Sequence, residues 1–221
     1  MQGKDIHNLV LVKLDEFTPF GPDSGATLLA GGDNLDEVKP IYRYVSEHLA
    51  EAANEMLMGI ALHHLRYKSP NVDCVADEDD CCIGSIVMPS DYLRLHTLWL
   101  KGWAHPVHET IKAGHPLYIK QFNPWSRGHA DKPIVTETGL DASGNTYHNT
   151  LHYYSINEGM AHEAREFKYI PKFNNDEEYE QKVAEAIALH CARKVCEVFG
   201  STEQVGVLTN EINSVMENMR L

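Results

Sequence analysis

The sequence predicts an α+β protein in which a helical core brackets an inserted antiparallel β-rich region. Three observations predict it: long apolar stripes at helical spacing toward both ends, short alternating segments between them, and no strand–helix alternation of the kind that builds a parallel sheet. The helical core is read as 1–70 and 174–221 and the β-rich insert as 71–173, together one domain over 1–221. With 221 residues, 43% of them hydrophobic and 23% charged, the chain can bury one ordinary core and is too apolar to remain disordered.

Taken in order, the first element is a short helix over 5–17, where Ile6, Leu9, Val10 and Leu14 recur at helical spacing and Pro19 ends it. Residues 18–34 hold Pro19, Gly21, Pro22, Gly25, Gly31 and Gly32, too many breakers for an element, and read as one surface loop. A long helix follows to residue 65, capped by Asn34 or Asp36, with Pro40 near its first turn. Its stripe of Ile41, Val45, Leu49, Ala52, Ala53, Met56 and Ile60 is expected to be core.

After Pro70 the pattern shortens. Strands are expected at 72–75, 83–88 and 93–103, the last with Leu93, Leu95, Thr97 and Trp99 alternating, and an acidic loop at 76–80. Further strands are expected at 117–122, 133–137, 150–154 and 167–170, with turn chemistry at 141–145 (DASGN) and hairpins as the natural connection. Two helices close the chain. The first, 176–199, is expected to turn Val183, Ile187, Cys191, Val195 and Val198 inward; the second, 202–219, spaces Val205, Leu208, Ile212, Val215 and Met219 three, four, three, four. They are expected to fold as a helical hairpin around Gly200, and no internal repeat is present.

The formal net charge of −13 repels phosphate backbones and anionic membranes, and no basic patch offsets it: the densest basic stretch, 120–132, interleaves Arg127 and lysines with Asp131. Sequence-specific DNA binding and membrane association are therefore not expected. No run of eighteen apolar residues occurs, and residues 1–14 mix Lys4, Asp5, His7 and Lys13 among apolar ones, unlike a signal peptide, so the chain is expected to stay where it is made. Five cysteines, an odd number, argue for reduced thiols over a disulfide framework.

Catalytic motifs fail one by one. Neither GxxxxGK[ST] nor GxGxxG occurs, and Gly84-Ser85 lacks the second glycine of a nucleophile elbow. Thirteen histidines invite a metal, yet His63-His64 are adjacent, His105 and His108-Glu109 fit neither HExxH nor its inverse, and His148 and His152 lack a carboxylate at a diagnostic offset. Cys81-Cys82 beside the acidic run 77–80 lack the glycine and closing glutamate of a calcium loop, and Cys191 and Cys196 read as small buried hydrophobes. No catalytic, cofactor-binding or metal-ligating residue is assigned, and no cofactor is expected. Of Trp99, Trp103 and Trp125, the last lies in a polar loop, FNPWSRGHADKP, which makes Trp125 and Arg127 candidates for a partner interface.

Several phrases carry a family likeness: PSDYLRLHTLWLKGWAHPVHE (89–109), RGHADKPIVTE (127–137), LHYYSI (151–156), EFKYIPKF (166–173) and AEAIALHCARKVCEVFG (184–200). In order and texture the chain resembles the head-to-tail connector, or adaptor, proteins of tailed bacteriophages. Ring proteins of this kind occur in short-tailed phages, crAss-like ones included. The likeness covers about 36–219 and consists of packing phrases, not catalytic signatures. It implies a structural, non-enzymatic virion protein of the tail or neck, made in the host bacterial cytoplasm. It further implies a homo-oligomeric, dodecameric ring that contacts the portal protein and adjacent tail or ring proteins, with a channel that passes DNA without binding it specifically.

Ring contacts join unlike patches, so the seam of Val205, Leu208, Ile212, Val215 and Met219 is a candidate for docking a neighbour or the portal, against packing on the helix before it. Two other readings stand beside the adaptor: a histidine-based metal-dependent hydrolase, and a monomeric cytosolic assembly or binding protein.

Overall fold

The structure, a computed structural model, describes residues 1–17, 35–138, 150–154 and 156–219, with the backbone alone for 15–17 and 35–40. The expected loop at 18–34 with its Asn34 cap, the turn at 141–145 and His148 lie outside what is described, whereas Asp36 falls inside the helix that starts at Leu35 and so is not its cap. In chain order the elements are α1 (Gly3–Phe17), α2 (Leu35–Gly59), a 3-10 turn (Leu62–His64), β1 (Val75–Ala76), β2 (Gly84–Val87) and β3 (Tyr92–Leu100). There follow α3 (Pro116–Lys120), β4 (Val135–Thr138), β5 (Thr150–Tyr153), β6 (Ala164–Pro171), α4 (Gln181–Val198) and α5 (Thr202–Asn218). The fold is α+β, and the chain divides into two compact units: Met1–Arg66 with Phe173–Leu221, and Tyr67–Lys172.

In the first unit α4 is the central helix, packed by α1, α2 and α5. That is why it carries a broad apolar surface of alanines, Ile187, Leu189 and Cys191 in place of a single stripe. The stripes of α1 (Ile6, Val10, Leu14) and α2 (Ile41 to Ile60) are buried as their spacing requires. Gly200, at φ 81°, ends α4: the Ser201 amide reaches back to the Cys196 carbonyl at 2.9 Å and the Phe199 amide to the Val195 carbonyl at 3.0 Å, which closes the helix and starts the hairpin to α5.

The second unit holds a four-stranded antiparallel sheet in the order β1-β2-β5-β4 and a separate antiparallel pair, β3-β6. Its core gathers Ile86, Tyr92, Leu98, Leu151, Tyr153 and Phe167. Tyr153 faces Gly84 across the β2–β5 ladder, and a Cβ there would overlap its phenol, so the position needs glycine.

Several expectations are corrected. Residues 117–122 are not a strand: Pro116 opens the short helix α3, and His115 Nδ1 accepts the Leu117 amide at 3.1 Å, a local cap that overrides the alternation of Leu117 and Ile119. Helix α4 starts at Gln181, not 176, because the carbonyls of Asn175 and Glu177 accept the Lys4 and Gly3 amides and the segment cannot coil. Val198 is exposed, at the end of α4. The second helix ends at Gly59, with the 3-10 turn after it. In β3 register shifts after Tyr92, Leu95 and Trp99 break the two-residue phase, so Tyr92, Leu95, Leu98 and Leu100 are buried while Leu93 and Trp99 are half-buried. Of the strand expected at 72–75 only Val75 is extended into β1.

Candidate interaction surface

From α3 toward β4 the chain forms an arm, 116–130, closed mainly by its own polar groups. Gln121, 1% exposed, donates from Nε2 to the Leu117 carbonyl at 2.8 Å and accepts the Gly128 amide on Oε1 at 2.9 Å, stapling both ends of the arm together. Ser126 Oγ donates to the Lys120 carbonyl at 2.9 Å, and the Asn123 side chain accepts the Trp125 amide at 2.9 Å. Satisfying the backbone this way leaves little for apolar packing to do beyond the edge-to-face contact of Tyr118 with Phe122 at 5.4 Å. Its large side chains face water: Ile119 is 74% exposed, Phe122 66% and Trp125 92%. Three large apolar side chains left in water on one short arm, and spent on no core, have the chemistry of a partner contact.

Arg127 anchors the arm to the acidic loop between β1 and β2. Its guanidinium spans both oxygens of Asp80, at 2.5 and 3.4 Å, with the Arg127 side chain 12% exposed. The guanidinium, helped by the Cys82 amide at 2.9 Å, holds the Asp80 carboxyl below the usual carboxylate range, and the pairing raises Arg127. Asp80, Cys81 and Cys82 are also the one group of three potential metal ligands among the described residues. With Arg127 on the carboxylate, a cation there meets a fixed positive charge. Burial pushes the Cys82 thiol up, away from the thiolate that a soft metal needs.

The other candidates lie elsewhere. Leu208, Ile212 and Met219 are buried in the helical unit, where α5 packs on α4, and Val205 and Val215 are half-buried; the seam is spent inside the chain. Trp103 is in the β-rich core, and the half-buried Trp99 donates to the Trp103 carbonyl at 3.0 Å under the Arg165 guanidinium.

Several described histidines act as structural hydrogen-bonding groups. His64 contacts Glu180 at 3.0 Å and donates to the Met219 carbonyl at 2.7 Å, tying the end of α5 to the segment before α4. His162 bridges the Tyr153 hydroxyl and the Cys81 carbonyl, and His152 meets Thr138 Oγ1 at 3.1 Å, with burial lowering its pKa. Cys191 and Cys196 are buried, and burial pushes the Cys191 thiol up to about 12. Of the residues that build the arm, His115-Pro116 carried a cap signal in the sequence, whereas Gln121 and the Asp80 partnership carried none.

Compared with known proteins, the chain matches no family model and no curated sequence. What the surface does has to be argued from its own residues.

Proposed function

We propose that the chain is a structural virion protein, a head-to-tail adaptor that assembles as a dodecameric ring between the portal protein and the tail, and that its channel passes DNA without binding it specifically. The observation that carries this reading is the exposure of Ile119, Phe122 and Trp125 on one short pre-formed arm. A cyclic assembly needs two unlike patches per copy, one meeting the other on the neighbour. The second is supplied by the end of the α4–α5 hairpin, where Val198 is 59% exposed, Phe199 47% and Val207 43%. A net charge of −13 per copy keeps a lumen from adhering to a passing phosphate backbone. The reading puts the protein in the virion neck after synthesis in the host bacterial cytoplasm.

Light scattering on the purified protein, alone and mixed with the portal protein of the same genome, tests this. The expected result is a defined ring-like mass, either alone or once portal is present, that Trp125→Ala abolishes. A strict monomer that ignores the portal overturns the proposal and leaves the monomeric binding protein as the better reading.

A further inference from the structure

The helical unit contains a pocket of ≈ 410 Å³ that the ring reading does not use. Its walls come from α1, α2 and the segment just before α4, and the sequence fixes them tightly. Gly3 lies so close to that segment that a Cβ on it would stand 2.5 Å from the Asn174 carbonyl oxygen and 2.9 Å from the Asn175 Cα. The Gly3 amide donates to the Glu177 carbonyl at 2.8 Å and the Lys4 amide to the Asn175 carbonyl at 2.9 Å. On the far side, the Phe173 amide donates to Asn54 Oδ1 at 2.8 Å, and the Phe173 ring stacks on Tyr179 at 5.3 Å.

Two of the lining side chains are already paired. Ser46 Oγ donates to the Tyr42 carbonyl at 2.9 Å, so its oxygen is left to accept from His7 Nε2 at 3.1 Å. With its proton on the carbonyl, Ser46 is not an activated nucleophile, and burial lowers the His7 pKa. The remaining polar lining is the Lys4 ammonium, the Tyr42 hydroxyl and the amides of Asn174 and Asn175. Asn174 Oδ1 accepts the Asp176 amide at 3.0 Å, so its NH₂ is the group left for a ligand. No carboxylate lines the pocket among the described residues, although the chain has 32 Asp and Glu against 19 Lys and Arg. Leu49, Ala50 and Phe173 supply the apolar part.

We infer that this pocket binds a small organic anion, its carboxylate or phosphate on the Lys4 ammonium and the Asn174 and Asn175 amides, and its apolar body against Phe173, Leu49 and Ala50. The volume is that of a small-molecule site, and the lining is an open, mixed one, with polar groups of α1, α2 and the segment before α4 around Leu49, Ala50 and Phe173. The donors offer hydrogen bonds and one positive charge, and nothing in the lining repels an anion.

The test is a titration of the full chain, in an amine buffer, with phenyl phosphate, benzoate, neutral benzyl alcohol and inorganic phosphate, followed by NMR shifts of the His7 and Asn175 signals. Expected are saturable shifts with both organic anions and at least tenfold weaker binding of benzyl alcohol and of inorganic phosphate. Lys4→Met, at an exposed position, should weaken the organic anions at least tenfold without moving the melting temperature of the free protein. Ala50→Phe, which fills the pocket and leaves its charge alone, should abolish binding. No saturable shift with either organic anion overturns the inference. So does equal binding of benzyl alcohol or of inorganic phosphate, or a Lys4→Met protein that binds like the parent. None of these outcomes depends on whether the chain forms a ring.

Discussion

Helix α5 hides Leu208, Ile212 and Met219 in the helical unit, whereas the arm at 116–130 leaves Ile119, Phe122 and Trp125 in water. Both segments hold similar apolar residues, and the difference lies in how each satisfies its backbone. A regular helix satisfies its own amides and aligns its apolar side chains along one stripe, which a neighbour such as α4 then covers. The arm has only the short helix α3, and polar staples from Gln121, Ser126, Asn123 and Arg127 close the rest, so its large apolar groups are left in water. A seam legible in sequence is thus the poorer interface candidate, and the irregular segment is the better one.

The contrast can be broken by mutation, most severely on the buried side. Leu208→Ala, at a fully buried position, is expected to cost ~2–5 kcal/mol of stability, read as a loss in chemical denaturation, with little effect on association beyond that of partial unfolding. If Leu208→Ala leaves stability unchanged but abolishes association, the seam is an interface after all. Gly84→Ala forces a methyl into the Tyr153 phenol and is expected to cost ~1–3 kcal/mol in the β-rich unit, seen as a lower melting temperature.

Arg127→Met should cost ~1–2 kcal/mol, because it strands a partly buried Asp80, and should broaden the Trp125 indole signal in NMR as the arm loosens. The same clamp sets a pH dependence. Asp80 has a depressed folded-state pKa, so its contribution is fully present above the ordinary aspartate value of ~4 and is lost as the pH falls from there through the folded value. Asp80→Asn should remove that acid-sensitive part of the unfolding curve; an unchanged acid limb would show that the clamp does not hold the arm.

The smallest stability effect belongs to Trp125→Ala. At 92% exposure it should change unfolding by less than ~0.5 kcal/mol while weakening self-association or portal binding at least tenfold, measured by light scattering and sedimentation. A loss of stability without a loss of association would reverse the comparison and make the tryptophan a structural residue.

Much of the helical unit was legible in advance because a 3.6-residue period is local information. The stripes Ile6–Val10–Leu14, Ile41 to Ile60 and Val183–Ile187–Cys191–Val195 are buried where their spacing puts them, and Gly200 turns the chain where a left-handed residue is required. Residues 117–122 were expected to be a strand, whereas the His115-Pro116 cap opens a short helix there. At 176–180 the sequence is rich in helix formers, yet its neighbours' carbonyls are committed to the amides of α1, a partner more than 170 residues away in the chain.

The candidate surface was legible in part. Trp125 stood out as an aromatic in polar surroundings, but Phe122 and Ile119 were read as part of a strand, and nothing local links Gln121 to Gly128 or Asp80 to Arg127. The pocket at Lys4 and Asn174 was invisible for the same reason.

By itself the sequence determined the α+β class, the helical stripes, the turn at Gly200 and the absence of the standard nucleotide-binding and nucleophile-elbow motifs, since each depends on residues within one or two turns of one another. Only the tertiary structure decided which apolar residues are spent and which remain. Burial, the pairing of β3 with β6, the Asp80–Arg127 clamp and the pocket at α1 all depend on residues brought together from distant parts of the chain. No local pattern encodes the meeting of two surfaces.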